Sequence, residues 1–231
     1  MLYHENLIFL KKKTPKKKTP MDKTITFEDF IYQQPKQLTP QFCKNLIEKY
    51  ETNPQALENR AQGTLGTGNW SEQAAKSFKQ SEDLYINNLS DFRLEDKTLS
   101  IALAKLTQNY LDYITSFNYG YETLLGGNYE DSGFQMQKTT PAGYYKWHHD
   151  LIGKRYFTYI FYLNDINHDG ETEFVHGLKI KPEEGKGLIF PASWQYVHRG
   201  IAPKDEIKYI ATGWISEVPT QDPLNDPLEL I

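Results

Sequence analysis

The segment Trp147-His148-His149-Asp150 puts two imidazoles and a carboxylate at consecutive positions. In an extended chain successive side chains alternate faces, so His148 and Asp150 point to one side and His149 to the other. An imidazole and a carboxylate on one face suit a divalent cation, and a third ligand would complete the set. His198, in Tyr196-Val197-His198-Arg199-Gly200, is the first candidate; His168, beside Asp169, and His176 are rivals in a turn-rich stretch. Two histidines and one carboxylate gathered on one side of a metal leave its other positions open, as in non-haem iron(II) centres that hold a cosubstrate and O2. A His-x-Asp pair is a weak signal by itself in a chain with six histidines, and a solvated loop accounts for it equally well.

Lys208 follows His198 in a run, Ile207 to Ile215, that reads as a strand. Lys208, Ile210, Thr212 and Trp214 then share one face, with Tyr209, Ala211, Gly213 and Ile215 on the other. A lysine among apolar and aromatic side chains is costly to bury unless it meets an anion, which a dicarboxylate would supply. The alternative is an edge strand whose lysine reaches back to water. In the run Arg155 to Asn164, Thr158, Ile160 and Tyr162 share a face, either as a pocket floor with two hydroxyls or as one side of an aromatic core.

The elements that must position these residues come in a definite order. Thr39 as N-cap and Pro40 at the first helical position start a helix whose Phe42, Cys43, Leu46, Ile47 and Tyr50 form a stripe, ending before Asn53-Pro54. Gln55 to about Ser90 is polar and irregular, with Gly63, Gly66 and Gly68 near Trp70, and reads as a long loop with a short helix. Leu99, Leu103, Leu106, Tyr110, Tyr113, Ile114 and Phe117 recur at helical spacing and predict a second, longer helix. Beyond Gly126-Gly127 the pattern turns to strands: Phe134 and Met136 alternating with Gln135 and Gln137, then Arg155 to Asn164, Leu188 to Phe190 and Ile207 to Ile215. Helices first and strands second predict a helical layer on a mainly antiparallel double sheet.

Length and composition bound the rest. The chain has 231 residues, 39% hydrophobic and 14% aromatic, enough for one domain with a substantial core. A net charge of −4, from 26 basic and 30 acidic residues, is too balanced for a general affinity for nucleic acid or an anionic membrane. Cys43 stands alone, so no internal disulfide forms, and it reads as a small buried apolar residue. No apolar stretch approaches membrane-spanning length, and the start lacks the features of a secretion signal. The reading is a soluble, cytoplasmic protein. The two copies of Lys-Lys-Lys-Thr-Pro within residues 1–20 predict a disordered basic tail, residues 21–231 forming a single domain. Within it, 21–125 give helical support, about 130–217 the core and 218–231 a C-terminal tail.

Taken together, the segments resemble the prolyl 4-hydroxylase-like branch of the 2-oxoglutarate- and iron(II)-dependent oxygenases. The likeness runs through Gly143-Tyr144-Tyr145-Lys146-Trp147-His148-His149-Asp150, the run Arg155 to Asn164, Gly170-Glu171-Thr172-Glu173-Phe174, Ile180-Lys181-Pro182, Gly185 to Phe190, His198, Lys208 and Thr212-Gly213-Trp214. It covers about residues 134–216, with a weaker echo in Phe27 to Phe30, the Thr39 helix and Ser81-Glu82-Asp83-Leu84. The resemblance implies a mainly β fold with supporting helices, a double-stranded β-helix or cupin-like jelly roll. It also implies a dioxygenase that uses O2 and Fe(2+), with 2-oxoglutarate as cosubstrate and ascorbate as an accessory, hydroxylates a C–H bond, and releases succinate and CO2.

By the same resemblance His148, Asp150 and His198 are metal ligands and Lys208 binds the distal carboxylate of 2-oxoglutarate. Thr172, Tyr162 and Thr158 line the cosubstrate pocket, Arg155 stands near the substrate entrance, and Thr212 falls in the matching Thr-Gly-Trp phrase. The substrate it implies is a peptidyl proline in a peptide or protein, with nucleic acid or a small molecule as alternatives and a non-catalytic metal-binding receptor as the rival class. Two departures stand out. Asp169 precedes Gly170-Glu171-Thr172 where relatives often carry a second glycine, and Lys138 and Thr139 lie where a tyrosine that contacts the cosubstrate is common.

Overall fold

The Thr39 side chain accepts the Phe42 N–H at 3.2 Å, and with Pro40 at the first helical position the chain enters α1, Pro40–Thr52. Asn53 closes α1 and caps α2, Pro54–Asn59, by accepting the Ala56 N–H. The computed structural model describes residues 7–8, 24–63, 71–126 and 128–218. The tail within residues 1–20 apart from Leu7–Ile8, the Gly66-to-Trp70 part of the predicted loop and the tail beyond Val218 lie outside them.

The second predicted helix is α4, Arg93–Thr115, whose buried Leu99, Leu103, Leu106, Tyr110 and Ile114 form the expected stripe. The polar stretch before it is more structured than its composition suggests. It holds α2, α3 (Glu72–Phe78) and the strands β3 (Ala61–Gln62), β4 (Lys79–Gln80) and β5 (Glu82–Tyr85). Helices of 6 and 7 residues and strands of 2 to 4 are too short to show a period, so this segment read as loop.

Two antiparallel sheets complete the architecture, so the jelly-roll expectation holds. β1 is Leu7–Ile8, β2 Tyr32–Gln34, β6 Tyr129–Asp131, β7 Gln135–Thr139, β9 Arg155–Tyr162, β12 Gly187–Pro191 and β14 Lys208–Glu217. The larger sheet runs β2-β12-β9-β14-β7-β5-β3, with β6 paired to β14 and β1 to β6. The smaller runs β11-β10-β13-β8-β4, where β8 is Tyr144–His148, β10 Thr172–Phe174, β11 Lys179–Ile180 and β13 His198–Gly200.

Alternation along β9 and β14 builds two cores. Phe157, Tyr159 and Phe161, with Tyr209, Ala211 and Ile215, pack beneath α1 and α4 against Leu46, Tyr50, Leu103 and Tyr110. Ile160, Tyr162 and Ile210 face the smaller sheet and meet Phe174, Ile180, Leu188 and Phe190. Burying a large apolar side chain contributes about 1.5–3 kcal/mol, so the first layer holds the helices on the larger sheet and the second holds the two sheets face to face. Gly187 lets the larger sheet come close to the helix, since a Cβ there would sit 3.0 Å from a Leu106 methyl. Cys43 is fully buried, and burial pushes its thiol up to about 12, which fits the apolar reading.

Candidate metal and cosubstrate site

His148 ends β8 and His198 opens β13, and the two are direct partners across the smaller sheet. Each ring is oriented by a backbone carbonyl two residues back: His148 Nδ1 lies 2.7 Å from Lys146 O and His198 Nδ1 3.0 Å from Tyr196 O. With Nδ1 as the donor in each, both Nε2 lone pairs are free to bind, the usual outer support of a histidine ligand. They converge on one carboxylate, His148 Nε2 lying 3.7 Å from Asp150 Oδ1 and His198 Nε2 3.6 Å from Asp150 Oδ2.

Asp150 arrives by a route that strand alternation did not foresee. β8 stops at His148, so Asp150 lies beyond the strand and is held from the opposite sheet, where the Thr158 hydroxyl donates to its Oδ2 at 2.7 Å. The sequence placed the right residues together for a reason that only half applies. Burial works against the Asp150 charge, but His198, His148 and the Thr158 hydrogen bond outweigh it and lower its pKa. Burial, reinforced by His198, lowers that of His148, which favours the neutral imidazole a metal requires.

The rivals separate cleanly. His168 is exposed beside Asp205, at 3.4 Å. His176 stacks between Phe27 and Phe174, with centroids 5.7 and 5.8 Å away. Neither joins Asp150. The donor atoms of His148, Asp150 and His198 lie within 4.8 Å of one another, and two imidazoles with one charged carboxylate are a donor set that fits iron(II).

A cleft between the sheets runs from this triad to Lys208, lined by Thr158, Ile160, Tyr162, Thr172, Thr212 and Trp214 among others. Lys208 is 4% exposed and donates to Gly170 O at 2.8 Å. The edge-strand alternative therefore falls. Burial, opposed by Glu171, lowers its ammonium to about 8, so the position suits an anion that would restore the charge. The Tyr162 hydroxyl donates to Thr172 Oγ1 at 2.7 Å, and Thr212 turns its hydroxyl to Tyr159 O. Arg155 stacks on Trp214, 3.6 Å from the ring centroid.

Sequence reasoning missed one wall of this cleft. Lys79, Ser81, Gln137, Thr139 and Tyr145 line it too. Lys138, at the position of the absent tyrosine, points away to Glu51, at 2.8 Å. A charged residue at the buried position of β5, Asp83, was the available signal in the weakly matching Ser81-to-Leu84 phrase.

Residues 134–216 match the family model described as the 2OG-Fe(II) oxygenase superfamily. This stretch of the chain is similar to the core of that superfamily. Solved structures agree on the fold. A prolyl hydroxylase from Trichoplax adhaerens, in complex with a hypoxia inducible factor oxygen degradation domain peptide fragment, is 16% identical over 82% of this chain and 84% of its own, at a TM-score of 0.61. A viral collagen prolyl hydroxylase from Paramecium Bursaria Chlorella virus-1, in its 2OG complex, is 20% identical over 82% and 97%, at 0.57. A Pseudomonas putida prolyl-4-hydroxylase is 17% identical over 81% and 92%, also at 0.57. No curated protein sequence matches the chain. Iron(II) and 2-oxoglutarate, the cofactors of that superfamily, fit the triad and the buried Lys208. No helix among the described residues is long and apolar enough to cross a membrane.

Proposed function

We propose that this chain is a 2-oxoglutarate- and iron(II)-dependent dioxygenase that hydroxylates a peptidyl proline, releasing succinate and CO2. One observation carries the reading: a convergent His148-Asp150-His198 triad shares a cleft with a buried lysine that, among the described residues, has no carboxylate in hydrogen-bonding contact. A metal-binding receptor has no use for a desolvated cation on the floor of its site. The peptide carried by the Trichoplax neighbour supports a peptide substrate, as does the family of the other two neighbours.

Iron held by His148, Asp150 and His198 would supply O2 activation coupled to the decarboxylation of 2-oxoglutarate. The chain's own part is binding and orientation. Lys208 takes the distal carboxylate of the cosubstrate, and the Tyr162–Thr172 pair offers hydroxyls along the same wall. Thr158 keeps Asp150 aimed at the two histidines, while Ile160 and Ile210 exclude water from the floor. Arg155, spread flat on Trp214, and Thr212 stand on the substrate side as candidate contacts.

The test is incubation of the chain with ferrous iron, 2-oxoglutarate, ascorbate and proline-containing peptides, following succinate and the gain of one oxygen by mass spectrometry. Oxidised peptide with matching succinate supports the proposal. Succinate alone removes the proline assignment, and absence of both, with Lys208→Ala binding 2-oxoglutarate as the wild type does, removes the oxygenase reading.

A further inference from the structure

Lys79 and Asp83 form an ion pair in the wall of the cleft that the proposed reaction leaves unused. Lys79 Nζ lies 2.6 Å from Asp83 Oδ2, with the two residues 2% and 4% exposed. Asp83 is tied down on both oxygens: Gln135 Nε2 donates to Oδ2 at 3.0 Å and Ser81 Oγ to Oδ1 at 2.7 Å. Gln137 Nε2 in turn donates to Gln135 Oε1 at 2.7 Å. Stability alone is a poor reason for such a pair, since well-packed apolar residues in place of a buried ion pair are often as stable or more so.

Its position gives a better reason. β8, which carries His148, is next to the edge of the smaller sheet, and its outer neighbour β4 is only Lys79–Gln80. Lys146 and Trp147 on β8 are exposed, and a bulge between His198 and Gly200 interrupts its other pairing. On the β4 side, therefore, only two residues of backbone pairing hold this strand. Asp83 belongs to β5 of the larger sheet, so the ion pair links the short strand β4 to the other sheet.

Between the pair and the ligand lies Tyr145. Its ring stacks on the His148 imidazole, with centroids 3.5 Å apart and planes within 16°. Lys79 Nζ sits 5.2 Å from the Tyr145 centroid, in cation–π range. We propose that Lys79, clamped by Asp83, is a positioning residue that keeps Tyr145 flat on His148 and thereby fixes the ring plane, and so the Nε2 direction, of that metal ligand. The proposal rests on the reading of His148 as a ligand. Hydrogen-bonded outer supports are worth roughly 10- to 100-fold in metal affinity, and a stacked ring is expected to give about the lower figure.

Removing Lys79 alone would strand a buried Asp83 and could unfold the chain, so the variant to use replaces both, Lys79→Met/Asp83→Leu. Two readouts are taken on the full chain with its melting transition intact. The first is cobalt(II) affinity from visible absorption. The second is the His148 Cε1–H resonance of the metal-free chain, which the Tyr145 ring current displaces. The double variant should lose about 10-fold in cobalt affinity, and the resonance should move toward its random-coil position. Tyr145→Leu should lose as much, and the triple variant no more than Tyr145→Leu alone, because Lys79 acts through Tyr145. An unmoved resonance with unchanged affinity overturns the proposal, as do losses that multiply in the triple variant. Equal cobalt binding by wild type and Asp150→Ala would instead sink the metal-site reading, while the resonance still decides whether Lys79 holds Tyr145.

Discussion

At the scale of single residues, Lys208 and Thr158 make the sharpest predictions. Lys208→Met should weaken 2-oxoglutarate binding by roughly 10- to 100-fold, the worth of a hydrogen bond to a charged group, measured by calorimetry on the manganese-loaded chain. Because burial holds the Lys208 ammonium at about 8, it is charged below that pH and neutral above it. Affinity for the dicarboxylate should therefore fall as pH rises through about 8, with proton uptake on binding above it; a flat profile there would show that Lys208 does not meet the carboxylate. Thr158→Val removes the one hydroxyl that reaches Asp150 from the opposite sheet. It should cost on the order of 10-fold in metal affinity and leave the melting transition near that of the wild type.

At the scale of elements, the first helix and the turn beside it carry separate tests. Thr39→Ala deletes the side-chain acceptor for the Phe42 N–H and should cost about 1 kcal/mol in denaturant unfolding, without changing metal affinity, since α1 packs on the outer face of the larger sheet. Gly185 has φ +76, and a Cβ there would collide with Leu38 O, whose own N–H bonds Gly185 O at 3.0 Å. Gly185→Ala should therefore destabilise more than Thr39→Ala does, through both strain and lost space. The elements also explain why the Gln55-to-Ser90 region shows a short helix but not its strands in the sequence. Its helices are under two turns long, and its strands gain their regularity from partners far away in sequence, β5 pairing with β7 and β4 with β8.

At the scale of the whole molecule, the groups of the site come from both sheets, the two histidines from the smaller and Lys208 and Thr158 from the larger, so occupancy and folding are linked. Binding of manganese at about 100 times its dissociation constant should stabilise the fold by about 2.7 kcal/mol, and 2-oxoglutarate at the same excess by about as much again, or several degrees in melting temperature. A chelator should reverse the rise, and Asp150→Ala should never show it. The two cores divide the labour. The layer under α1 and α4 fixes the larger sheet as a platform, and the layer of Ile160, Tyr162, Phe174 and Phe190 sets the distance at which the smaller sheet presents its histidines. Phe190 packs edge-on to His198 at 5.0 Å, so core volume reaches the proposed metal ligands directly.

The sequence by itself determined the residue types of the site and most of the frame around it. The 3.6-residue stripe from Leu99 to Phe117 and the alternation in β9 and β14 are local signals, since burial on one face imposes a period that the chain carries in its own order. The faces assigned to Thr158, Ile160 and Tyr162, and to Lys208, Ile210, Thr212 and Trp214, are those that line the cleft. Only the tertiary structure decided between His198 and its rivals on geometry, because that choice depends on which strand pairs with β8. It also decided how Asp150 reaches the metal position, from beyond the strand end and through Thr158. And it alone placed Lys79 and Asp83 behind Tyr145, since the sequence brings those two within four residues of each other but leaves Tyr145 more than sixty residues away until β4 pairs with β8.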